Sequence, residues 1–164
     1  MPVQVRDLLP FEIVKEPWND YVIMDEGQEV TLRGRLILAK VVRIIDKDNP
    51  KRLGIQLAPH QIWITHSPSA LRGEPSPKLP SPADIPDDQK KIVEVETRKE
   101  NWSAYHLPTD NVDLRLRFVV TRVYRVPTVF AMDGEPYYIV ESAGLSETLK
   151  EGKPAGTAVD EIAH

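Results

Sequence analysis

Thr31-Leu32-Arg33-Gly34-Arg35-Leu36-Ile37-Leu38-Ala39-Lys40-Val41-Val42-Arg43-Ile44 is the stretch whose reading decides the fold. It recurs without a gap as Asp113-Leu114-Arg115-Leu116-Arg117-Phe118-Val119-Val120-Thr121-Arg122-Val123-Tyr124-Arg125-Val126. Five of the fourteen columns are identical, where ordinary composition would give about one. In both copies the aliphatic positions alternate with arginines, a period of two that puts the apolar side chains on one face of a strand and the guanidiniums on the other. Leu36-Ile37-Leu38 and Phe118-Val119-Val120 interrupt the alternation, which predicts strands covered on both faces at their middle. Many of these residues are β-branched, and that favours strand over a buried helix.

The similarity extends upstream. Lys15-Glu16-Pro17-Trp18-Asn19-Asp20-Tyr21 aligns with Lys99-Glu100-Asn101-Trp102-Ser103-Ala104-Tyr105. Turn formers follow each long strand, as Asp46-Lys47-Asp48-Asn49-Pro50 and as Met132-Asp133-Gly134-Glu135-Pro136. Closing strands are expected over residues 53–65 and 137–142, with His66 matched to Glu141. Leading strands are expected over residues 11–14 and 93–96. Each copy then reads as a three- or four-stranded antiparallel meander, too small to hold a core alone. The expected fold is all-β: an internally duplicated meander packed as a small sandwich or barrel with pseudo-twofold symmetry.

The domain reading follows. Residues 8–66 form the first repeat and 91–145 the second, together one composite domain. Residues 67–90 hold six prolines and read as an extended polyproline-like connector, or as a docking ligand for an aromatic groove. Residues 146–164 read as a flexible tail, with one helical turn possible over residues 146–150.

Bulk properties restrict the function. A net charge of −4 over 164 residues argues against a chain devoted to non-specific nucleic-acid or membrane binding. There is no cysteine, so disulfides and thiol catalysis are excluded, and a reducing, cytoplasmic setting is expected. No secretory signal or membrane-spanning helix is read at the N-terminus or within the chain.

The sharpest chemical feature is the pair of arginine ladders, Arg33 with Arg35 and Arg115 with Arg117, each spaced by roughly 7 Å along a strand. Two guanidiniums so placed could hold phosphates or carboxylates bidentately. They could equally be neutralised across strands by Glu12, Glu16, Glu29, Glu94, Glu96 or Glu141. Trp18 and Trp102 stand beside these arginines and could add stacking surface for nucleic acid. The Trp-x-x-Tyr spacing puts the two rings on opposite strand faces, one toward the core and one toward the rim. His60 and His66 read as surface histidines, and Asp20, Asp25, Asp46 and Asp48 as solvated turn acids. No metal-ligand spacing, phosphate-cradling glycine loop or nucleophile motif is present, and neither metal nor cofactor is expected.

The expected function is therefore a non-enzymatic binding or assembly module acting on a protein partner or on itself. The alternative is nucleic-acid or anionic-ligand binding through Arg33, Arg35, Arg115, Arg117, Trp18 and Trp102. An enzyme with an unfamiliar site is the third reading.

Overall fold

The computed structural model describes residues 4–46, 53–150, 153–154 and 159–162. The strands are β1 (Gln4–Leu9), β2 (Glu12–Lys15), β3 (Trp18–Asp25), β4 (Gln28–Asp46), β5 (Leu53–His66), β6 (Lys91–Lys99), β7 (Ser103–Leu107), β8 (Val112–Phe130), β9 (Pro136–Lys150), β10 (Lys153–Pro154) and β11 (Val159–Ile162). The protein is all-β. The first nine strands join into one continuous sheet through antiparallel pairings. Among the described residues no helix is long and apolar enough to cross a membrane.

Two meanders form the body, β3–β4–β5 and β7–β8–β9. The first begins with a two-residue turn in which Glu26 and Gly27 both adopt positive φ, 50° and 73°. That geometry matches the right-handed twist of the flanking strands. In the second, Asn111 takes the left-handed position instead, at φ 50°.

The two meanders share register in detail. Tyr21 pairs with Leu32 and Tyr105 with Leu114. Leu32 pairs with Thr65 and Leu114 with Thr148. The pairing with the closing strand slips at Leu38/Lys40 in β4 and at Val120/Arg122 in β8. In β4 the coverage of both faces falls at the adjacent buried residues Val41 and Val42, just beyond the expected Leu36–Leu38 stretch, where Ile37 is half-buried. Leu38 and Val41 are both buried while Ala39 and Lys40 are exposed, because one extra residue resets which face points inward. The register also separates His66 from Glu141: His66 lies opposite Thr31, and Glu141 opposite Arg122.

The leading strands behave differently from expectation. β2 pairs not with its own meander but with β7, and β6 reaches back to β3. Ile13 faces Tyr105, and Thr97 faces Tyr21. β6 first pairs with β8 of its own half over Lys91–Val93, so it bridges the two meanders, whereas β2 joins β7. One buried cluster joins them, with Tyr21, Leu32, Leu36 and Leu57 from one side and Tyr105, Leu114, Leu116 and Phe118 from the other. The Trp63 ring bridges Tyr21 at 6.1 Å and Phe118 at 4.9 Å. Gly34 makes room for it, since any Cβ there would meet the Trp63 ring at under 3.0 Å.

The connector is ordered. Residues 67–90 contain three short 3-10 turns at Ser69–Leu71, Pro82–Asp84 and Asp87–Gln89. Extended residues such as Pro68 (φ −62°, ψ 154°) lie between them. The strap is pinned to the β8–β9 hairpin. Gly73 N–H donates to Gly134 O at 3.0 Å, and Ser76 exchanges two bonds with Phe130. The Tyr137 hydroxyl donates to Pro80 O at 3.1 Å. Aromatic side chains of its own chain are therefore what the proline-rich segment meets. The expected helical turn over residues 146–150 is absent, because β9 continues through them against β8. Beyond it β10 pairs with β9, and β11 pairs parallel with β5. The rest of the expected flexible tail lies outside the described residues.

Candidate interaction surfaces

Alternation along β3 sends Tyr21 inward and Trp18 outward, and β7 does the same for Tyr105 relative to the preceding Trp102. Tyr21 and Tyr105 are 1% and 0% exposed. On the outer face, the Trp18 ring carries Arg33 at 5.1 Å and Arg35 at 5.7 Å. The Trp102 ring carries Arg115 at 4.5 Å and Arg117 at 5.0 Å. The same three-residue stack is built twice, and each cation–π contact adds about 0.5–1 kcal/mol at such sites. One arginine of each stack also has a carboxylate: Arg33 Nε donates to Asp20 at 2.9 Å, and Arg115 pairs with Glu147. Neither acid was among the partners expected from the sequence. Arg35 and Arg117 have no ion-pair partner among the described residues.

Glu16, expected to help neutralise the ladders, does other work, and so does Glu100 at the matching position. Glu16 accepts the Leu38 N–H at 3.0 Å and the Tyr105 hydroxyl at 2.7 Å. Glu100 accepts the Val120 N–H at 3.4 Å and the Tyr21 hydroxyl at 3.0 Å. Leu38 and Val120 are the bulge residues. Each glutamate therefore satisfies a backbone donor at its own bulge and ties down the core tyrosine of the opposite half. This accounts for the recurring Lys-Glu-x-Trp-x-x-Tyr stretch: glutamate and tyrosine are interlocks, and tryptophan seats the arginines.

A second pair of clasps sits at the turns. Asp25, expected to be a solvated turn acid, is 1% exposed. It accepts Arg125 at 2.9 Å and the Tyr138 hydroxyl at 2.9 Å, with Lys91 at 3.7 Å. In the other half Arg43 forms a two-pronged pair with Asp110. Each long strand thus grips the turn of the opposite meander. Local turn chemistry at Asp25-Glu26-Gly27 gives no sign of this, because the partner is 100 residues away.

Burial, with hydrogen bonding to carboxylates behind it, raises the hydroxyl pKa of Tyr21, Tyr105 and Tyr138 well above the usual value of 10.0. The unfolded chain loses these protons near pH 10 and the folded chain holds them. Stability from these groups is therefore complete below about pH 10 and declines as pH rises above it. Circular dichroism at rising pH should show cooperative unfolding in step with tyrosinate absorbance. Full tyrosinate absorbance with the fold intact would contradict this.

The remaining feature is the side of β5 turned away from β4. Its fourteen residues contain no Asp, Glu, Lys or Arg. Ile55 and Leu57 face the core, while Ile62 and Ile64 are 43% and 50% exposed. Residues 58–66 pair through the backbone with β4 alone among the described residues, while the Gln61 side chain exchanges two hydrogen bonds with Ser142 of β9, at 2.9 and 3.1 Å. At its other end the same edge is occupied, since β11 adds in parallel along Ile55, Gln56 and Leu57. His60 and His66 are exposed at the ends of the open segment. Among the described residues no group of three or more His, Asp or Glu could hold a metal ion. Comparison with known protein families, curated proteins and solved structures gives no match.

Proposed function

We propose that this chain is a non-enzymatic assembly module, an internally duplicated meander pair closed into one small barrel-like or sandwich body, which joins a second copy through the β5 edge. The duplication is supported by matched register, matched bulges at Leu38 and Val120, and matched interlocks at Glu16 and Glu100. The observation that carries the function is the β5 edge itself. Open strand edges in natural proteins are usually blunted by charge or proline; β5 carries no charge, and its one proline, Pro59, precedes the 60–66 segment. β11 already adds a strand to that same edge.

A second copy suits the edge better than an unrelated partner. Antiparallel pairing of β5 with β5 about a twofold axis is self-complementary and brings no like charges together. Centred on Trp63, it sets Ile62 of one copy opposite Ile64 of the other, so the exposed isoleucines would cover each other. The anion-binding alternative has less behind it. All four arginines lie over their own tryptophans, and two are ion-paired.

The test is Ile62→Lys with Ile64→Lys. Both side chains point to solvent, so the fold should persist. The wild-type chain should sediment as a dimer at tens of micromolar, and the double variant as a monomer with an unchanged far-ultraviolet spectrum. Equal sedimentation of the two would refute the proposal.

A further inference from the structure

We infer that the cavity beneath the proline-rich strap binds a small organic cation of the methylated-ammonium class. The lining includes Trp63, Ile64 and Thr65 of β5 and so borders the edge proposed to pair, but cation binding is read from resonance shifts and strand addition from sedimentation. The cavity holds about 310 Å³ and is lined by Trp63, Tyr137 and Tyr138, with Leu79, Asp133 and Glu135. That volume is at the small end of ligand pockets, about 300–1,000 Å³. Aromatic residues in the cavity lining are the partners that weakly hydrated cations prefer, tryptophan above all. The tyrosine hydroxyls are already committed, Tyr137 to Pro80 O and Tyr138 to Asp25. They offer no donor to an anion.

Charge points the same way. Glu135 is 5% exposed. Its Oε1 accepts the Ser67 N–H at 2.8 Å and faces Arg72 at 3.6 Å. Its Oε2 is sealed from solvent and has no hydrogen-bond partner. Asp133, exposed and accepting the Glu135 N–H at 3.1 Å, adds a second carboxylate to the lining. In a low-dielectric wall the field of a poorly compensated carboxylate reaches into the cavity with little screening. Because Glu135 Oε2 is itself shielded, the fitting occupant needs no directed hydrogen bond. A methylated ammonium meets that condition, whereas a metal ion needs open oxygen ligands.

The experiment titrates tetramethylammonium into the full chain at constant ionic strength, with tert-butanol as the neutral counterpart. The readout is the Trp63 indole and neighbouring amide resonances. Saturable shifts with the cation and none with tert-butanol are expected. Glu135→Gln keeps an oxygen for the Ser67 N–H and should weaken binding about tenfold, which corresponds to about 1.4 kcal/mol. Equal shifts from the neutral compound, no saturable shift from the cation, or unchanged affinity in folded E135Q would overturn the assignment. If E135Q does not fold, Tyr137→Leu decides instead: lost saturation supports the site and unchanged affinity refutes it.

Discussion

Replacing Asp25 with alanine is expected to destabilise the fold by about 3–5 kcal/mol, the usual cost of leaving one member of a buried ion pair uncompensated. Arg125 is 8% exposed at its side chain and Asp25 0%. Without the carboxylate, the guanidinium keeps only a 3.9 Å approach to Glu26, whose side chain is 60% exposed. The Tyr138 hydroxyl also loses its acceptor. The matching change, Asp110→Ala, should cost less, because Arg43 and Asp110 are 17% and 29% exposed and water can take over. Urea unfolding of both variants checks the order. Equal costs for the two would show that burial does not distinguish the clasps.

The second large effect belongs to the glutamate interlocks. Glu100→Ala removes the acceptor for the Val120 N–H and for the Tyr21 hydroxyl, and Glu16→Ala does the same to Leu38 and Tyr105. Each stranded donor costs about 1–3 kcal/mol, so each variant should lose about 2–6 kcal/mol. Because the contacts are equivalent in the two halves, the two variants should lose similar amounts. A double-mutant cycle of Tyr21→Phe with Glu100→Ala should give a coupling of about 1–2 kcal/mol. Additive behaviour would mean that the hydrogen bond across the halves contributes nothing.

What could be read from the sequence was what is local. Alternation of Leu and Arg around Arg33 and Arg115 is a period-two signal, and it identified the long strands directly. The Trp-x-x-Tyr spacing put Trp18 and Tyr21 on opposite faces but did not say which of them points inward. The role of Glu16 and Glu100 could not be read, because it depends on where a bulge falls, and a single inserted residue leaves no composition signal. The crossing of β2 to β7, and of β6 from β8 to β3, was hidden for a similar reason. A short strand such as Glu12–Lys15 carries an apolar pattern but not the identity of its neighbour. Asp25 was misjudged because a turn acid is ordinarily solvated, and only the distant Arg125 reveals otherwise. The uncharged run of β5 was visible throughout. Its meaning emerged only once the topology placed it at an edge.

The central claim is that the β5 edge joins two copies of the chain. Amide hydrogen exchange measured across a hundredfold range of protein concentration tests it most directly, because it reads the edge residue by residue. Amides within residues 60–66 that point away from β4 should become protected as concentration rises, while amides of the Trp18 and Trp102 faces stay constant. Exchange across residues 60–66 that is independent of concentration, with the chain sedimenting as a monomer throughout, would contradict the account.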